Sequence, residues 1–191
     1  MAQRASKKQT GVTESQELHT LNGQGELAQF LMRSGAAVPN SGRLLFVCIG
    51  SDRSTGDAYG PLVGSLLKER GWPHVVGTLE QPCDAHAVEA AVLKAAAMRE
   101  QAWSIVAIDA CLGKAASVGG FVAAHGPLLP GSAIGRRLPP VGDVSIRGVV
   151  NLFGPKAYGM LQTTSLHLVM EMAKQTAAAI DEAWLDKPQM G

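Results

Sequence analysis

The sequence predicts an α/β sandwich in which a largely parallel or mixed sheet carries helices on both faces. Two continuous apolar runs, Leu44–Gly50 (LLFVCIG) and Ser104–Ala110 (SIVAIDA), carry the first part of this reading. Strands apolar at every position are buried on both faces, so something must cover each face. The second part is alternation, because segments of helical period follow the strand-like runs in turn. Length is the third observation: 191 residues suit a single domain with an added tail.

In chain order, residues 1–41 are polar and lack a sustained period, and they read as an N-terminal tail. Within them Gly25–Ser34 (GELAQFLMRS) places Leu27, Phe30 and Leu31 at helical spacing, which predicts a short docked helix. The domain proper is expected over 42–184, with 185–191 as a C-terminal tail. Its first strand is Leu44–Gly50, followed by the polar loop SDRSTGDAYG. Pro61–Arg70 is a helix with proline in its first turn and Gly71 as its stop. Val75–Leu79 reads as a second strand. Ala85–Met98 is alanine-rich with apolar residues every three or four positions, hence helical. After the Ser104–Ala110 strand, Gly119–Ala124 and Asp143–Asn151 read as shorter strands, divided by the Pro/Gly-rich stretch Gly126–Gly142. The end, Ala157–Trp184, has the period of one long amphipathic helix with a break near Gly159.

Composition removes several functional classes. Apolar residues make up 46% of the chain and charged residues 17%, with 22 Gly and 10 Pro, which is neither disordered nor coiled-coil composition. A formal charge of +1 lacks the basic face of a broad nucleic-acid binder, so no nucleic-acid partner is expected. Three cysteines, Cys48, Cys83 and Cys111, are too few for a disulfide scaffold and suit reduced thiols. No apolar stretch serves as a signal-peptide core or spans a bilayer, so a cytoplasmic protein without a membrane partner is expected.

Two acidic residues stand where α/β chemistry is usually found. Asp57 lies in the loop leaving the first strand, and Asp109 closes the SIVAID run. Ligand crevices of open α/β sheets lie beyond the carboxyl ends of the strands, at a topological switch point. A carboxylate after four apolar residues must be paired, protonated or metal-bound, or must cap a following turn with backbone N–H groups. The loop Gly50–Gly60 is rich in Gly, Ser and Thr, and its residues Ser51, Asp52, Arg53, Ser54, Thr55 and Gly56 are candidates for substrate binding or for an oxyanion-stabilising turn. Tight-turn packing explains the same glycines, and neither GxxxxGK[ST] nor GxGxxG is present. His167 is either a satisfied helix residue or, with Asp57 and Asp109, the third ligand of a divalent metal. Cys83 and His86 form a lone C-x-x-H pair, better read as a buried thiol and a first-turn histidine. Cys111 has no histidine beside it that would make it a nucleophile. There is no G-x-S-x-G elbow.

Four segments together, CIGSDRSTGDAYGPLVG (Cys48–Gly64), AIDACLG (Ala107–Gly113), PGSAIGRRLPPVGD (Pro130–Asp143) and SIRGVVN (Ser145–Asn151), closely resemble the YyaC-type sporulation proteins of spore-forming bacteria. The resemblance covers Gly42–Ile180. That family in turn resembles the germination protease of spores and the hydrogenase maturation endopeptidases. The resemblance implies a three-layer α/β/α sandwich of the phosphorylase/hydrolase-like kind. It further implies an endopeptidase of spore formation or germination, with Asp57 and Asp109 as its catalytic pair and a protein or peptide as substrate. In the maturation endopeptidases a carboxylate pair and a histidine bind a metal of the client protein, which would make Asp57, Asp109 and His167 the equivalent set. No resident cofactor is demanded, and a divalent metal is the one ligand this set admits. Arg136 and Arg137 would gate the cleft or bind an acidic segment, or else are solvated surface charge. The alternative from another class is a non-catalytic protein that keeps the scaffold and binds a peptide, metal or anionic ligand.

Overall fold

The computed structural model describes residues 16–39, 42–130 and 140–185. Six strands, β1 (His19–Leu21), β2 (Leu44–Cys48), β3 (Val75–Val76), β4 (Ser104–Gly113), β5 (Phe121–His125) and β6 (Val144–Leu152), form one sheet in the order β1-β5-β6-β4-β2-β3. The β3-β2-β4-β6 portion is parallel, whereas β5 pairs antiparallel with both β6 and β1, so the sheet is mixed. Five helices accompany it: α1 (Gly23–Met32), α2 (Tyr59–Glu69), α3 (Val88–Glu100), α4 (Ala157–Gln162) and α5 (Leu166–Trp184).

The all-apolar strands divide their side chains between two layers, as the two-residue period of a strand requires. Leu44, Phe46 and Cys48 of β2 face a core completed by Tyr59, Val63 and Leu67 of α2, Leu27 and Leu31 of α1, and Ile180 of α5. Leu45, Val47 and Ile49 face the opposite way, onto Val88, Val92 and Ala95 of α3. One sheet between two helical layers is the expected α/β/α sandwich.

Element boundaries shift where side chains cap. The helix expected from Ala85 begins at Val88, because Asp84 Oδ1 accepts the His86 and Ala87 N–H groups at 2.9 and 3.2 Å and turns the chain first. The strand expected over Val75–Leu79 ends at Val76, since Gly77 takes a left-handed φ of 89°. The C-terminal helix breaks at Thr163–Ser165 rather than near Gly159. Thr163 and Thr164 hydroxyls bond back to the carbonyls of Gly159 and Met160, each at 2.9 Å, and Ser165 then caps α5 by accepting the Leu168 N–H.

The larger correction concerns the N-terminus. The described part of the expected tail contains an edge strand, β1, in register with β5 (His19 against Ala123, Leu21 against Phe121), and the ten-residue helix α1. Leu27, Phe30 and Leu31 lie in the same core cluster as β2 and α5. The packing therefore does not divide at residue 42. Three apolar groups recurring within five residues of α1 bury against α5, and the short β1 covers what would otherwise be an open β5 edge. Residues 1–15, 40–41 and 186–191 lie outside the described residues, as do Arg136 and Arg137.

Candidate functional site

Topology fixes where a site belongs. From β2 the chain crosses by α2 to β3 on one side, while β4, on the other side of β2, leads on towards β5 and β6. The switch point thus falls between β2 and β4: Asp57 lies in the loop that follows β2, and Asp109 lies within β4, one position past the last β2–β4 pair at Cys48 and Ile108. The β2 ladder runs directly into the Asp57 loop. The Ile49 N–H donates to the Ile108 carbonyl at 2.7 Å and the Gly50 N–H to the Cys83 carbonyl at 3.0 Å. Gly50 is required there: its φ is 143°, and a Cβ would stand 2.0 Å from the Asp57 carbonyl oxygen. The Ser51 N–H closes the loop on that same Asp57 carbonyl at 3.2 Å.

The two carboxyls share one electrostatic environment. Burial, and then the negative charge of Asp57, push Asp109 up from 3.8 to about 8; its own neighbour, the Ala110 N–H at 2.8 Å, and the Arg147 guanidinium work in the opposite direction. Burial likewise raises Asp57, the Ser51 amide opposes it, and the charge of Asp84 raises it further. The pair therefore favours holding a proton at neutral pH, with Asp109 as the natural site for it. The capping alternative for Asp109 holds only in part: it takes one local N–H yet remains strongly raised.

The loop Ser51–Gly56 divides into residues already committed and residues still open. The Ser51 and Gly56 amides donate to the Asp57 and Leu161 carbonyls, and the Arg53 amide to Ser51 Oγ at 3.2 Å, so these three are not free to hold an oxyanion. Gly56 sits so close to Thr164 Oγ1 and the Leu161 carbonyl that a Cβ would meet both at about 3 Å, which is the tight-turn explanation of this glycine. Asp52 and Arg53 are exposed, and the Arg53 charge lowers Asp84. Thr55 is half-buried. Ser54 is buried, and its hydroxyl has no hydrogen-bond partner among the described residues.

The expected metal set is not assembled. His167 is exposed on the first turn of α5. Among the described residues no three His, Cys, Asp or Glu side chains come together as a metal site. Two acidic groups without a third donor are a poor home for Zn²⁺ or Ni²⁺, which take four or more ligands. The cysteines are not nucleophiles either. Burial pushes Cys83 up to about 12 and Cys111 up to about 11, the reverse of an activated thiol. Cys83 is the buried thiol of the simpler reading of the C-x-x-H pair, whereas His86 is exposed in the turn before α3 rather than in its first turn.

Two members of the site escaped the sequence reading. Arg147 on β6 is the direct in-register neighbour of Asp109 on β4, and its Nε is buried without a partner among the described residues. An arginine in the apolar run SIRGVVN was the available signal, since such a charge has to face an opposite one. Asp84 is the other. Its turn-capping position in Cys83–His86 was legible, but its proximity to Asp57 depends on Cys83 bridging to Ile49.

Comparison with known proteins agrees with the fold. Over 151 residues, 78% of this chain and 71% of the relative, the sequence is 42% identical to the uncharacterized protein YyaC of Bacillus subtilis (strain 168). The structure resembles the [NiFe] hydrogenase maturation protease HycI of Thermococcus kodakarensis KOD1, with a TM-score of 0.51 and 25% identity, covering 75% of this chain and 93% of that one. The model of the family described as protein of unknown function (DUF1256) matches residues 17–179, β1 and α1 included, and the chain belongs to that family.

Proposed function

We propose that the protein is an endopeptidase that hydrolyses a peptide bond with the Asp57–Asp109 pair. The observation that carries this reading is the placement of the two carboxyls at the switch point, with Asp109 held up at about 8 by burial and by Asp57. The likeness to a maturation protease supports peptidase chemistry on this scaffold. In the reaction, ionised Asp57 takes a proton from water as the water oxygen attacks the scissile carbonyl carbon. Protonated Asp109 donates to the carbonyl oxygen as it gains charge. Collapse of the tetrahedral intermediate breaks the C–N bond, the proton held by Asp57 passes to the leaving amine, and one hydroxyl of the intermediate returns its proton to Asp109 as the product carbonyl forms. Arg147, beside Asp109, keeps the pair from binding a second proton. We assign the substrate to the proteins of spore formation or germination, and the setting to the cytoplasm, on the motif resemblance; no helix among the described residues is long and apolar enough to cross a membrane.

The test is cleavage of a protein extract from sporulating Bacillus cells, with new N-termini read by mass spectrometry. Wild type should generate new termini, and Asp57→Asn and Asp109→Asn should each lower the rate by about 100-fold or more. A chelator should leave the rate unchanged, because among the described residues no third metal ligand joins the pair. An intact extract under wild-type protein would sink the peptidase reading in favour of a binding protein on the same scaffold.

A further inference from the structure

Away from the carboxylate pair, a concavity runs along the outer edge of the sheet. A groove of about 370 Å³ is bounded by β3 (Val75 and Val76) on its floor, by Lys68 of α2 on one wall and by Lys94 of α3 on the other. Three features define what it can hold. Among the described residues β3 pairs only with β2, so its outer backbone groups face the groove rather than a neighbouring strand. None of the described lining residues is acidic, and neither lysine is ion-paired in the described structure. The α3 wall is made of Ala87, Ala90 and Ala91, short side chains that leave room for another backbone beside β3.

The groove also leads to the site. Cys83 lines its end, bridges to Ile49 and accepts the Gly50 N–H at 3.0 Å, so the groove closes against the first residues of the Asp57 loop. An extended chain lying along β3 would run up to Cys83 and the start of the Asp57 loop.

We propose that this groove binds an extended acidic segment of a protein substrate as an added strand on β3, with the segment's carboxylates on Lys68 and Lys94. Backbone pairing to an open edge supplies affinity without regard to sequence, and alternate side chains supply selectivity. The two lysines lie on opposite walls and select against basic segments by repulsion as well as for acidic ones by attraction. The proposal deepens the peptidase reading by naming its substrate class, but binding is measured without cleavage.

The test uses fluorescein-labelled octapeptides of repeating Val-Val-Glu-Glu, or Val-Val-Lys-Lys, which carry charge on both faces of an added strand, titrated with full-length protein and followed by anisotropy at about 0.1 M salt. Peptide integrity is checked by mass spectrometry. The Val/Glu peptide should bind saturably, at least tenfold tighter than the Val/Lys peptide. Lys68→Glu with Lys94→Glu should reverse that preference while leaving the melting temperature unchanged, since both side chains are exposed. Val/Glu peptides N-methylated on every odd residue, or on every even residue, block opposite edges of the added strand. One should bind at least tenfold more weakly than the other. Equal binding of the acidic and basic peptides, or indifference to the double reversal, overturns the charge assignment and with it the proposal. Equal binding of the two methylated peptides overturns strand addition. Peptide binding with an uncut extract would leave the groove standing and remove the peptidase reading; a cleaved extract with no peptide binding would do the opposite.

Discussion

Asp109 is pulled two ways, upward by burial and by Asp57, downward by Arg147 and the Ala110 amide, and the upward influences win. The pH dependence of activity follows from this balance. A pair that works with one proton loses activity as that proton leaves, so kcat/KM should fall through an alkaline limb near 8. Removing the arginine charge with Arg147→Gln withdraws a downward influence, so the limb should move to higher pH; a limb that stayed put would mean the guanidinium does not act on the pair. Stability carries the same sign. Because folding raises Asp109 from 3.8 to about 8, the native state binds the proton more tightly than the unfolded chain. The stability linked to that proton is fully present at low pH and is lost as pH rises through the folded value. In urea titrations across this range, Asp109→Asn should gain on wild type as pH rises and level off above about 8. Both aspartates were legible in the sequence, Asp57 in the loop after the first apolar run and Asp109 as the acid closing the second. Arg147 was not assigned because its meaning lies in a register with β4, and nothing local reports that register.

Helix α2 offers a comparison of opposing effects. Gly64 lies mid-helix, where alanine would be favoured by about 1 kcal/mol on propensity alone. A Cβ at Gly64, however, would stand 1.9 Å from the Gly77 carbonyl oxygen, which is backbone and has little freedom to move. Crowding of this kind costs about 1–3 kcal/mol or more, so Gly64→Ala should destabilise despite the better helix former. Chemical denaturation decides the sign. Stabilisation would show that α2 can draw back from the end of β3. Elements with a clear period, such as α2, α3 and the two long apolar strands, were readable from the chain. Their ends were less so, because Asp84, Thr163, Thr164 and Ser165 set boundaries through side-chain hydrogen bonds that compete with the periodic pattern.

For the whole molecule, the decisive feature is that α1 belongs to the core. Burying Leu27, Phe30 and Leu31 contributes about 1.5–3 kcal/mol each, which together is comparable to the entire net stability of a typical domain. A chain beginning at Gly42 should therefore fail to fold as a monomer. It should elute as aggregate on size exclusion and bind a hydrophobic dye, whereas a cooperative melt near that of the full chain would restore the reading of this segment as a tail. The fold class was legible because strand burial and helix alternation are properties of consecutive residues. The edge strand was not, because the three residues His19–Leu21 have no period of their own and acquire their conformation only from β5.

That pairing has a consequence for synthesis. The partner of His19 is Ala123, about 100 residues later, so at roughly 5–20 residues per second the ribosome needs several seconds to supply it. The partner helix of α1, α5, is made later still. During that interval Leu27, Phe30 and Leu31 are translated but unhoused, and the nascent chain presents a sticky helix that only its own far end can cover. Slowing translation after residue 39 should lengthen this exposure and increase the demand for a chaperone that captures short apolar helices.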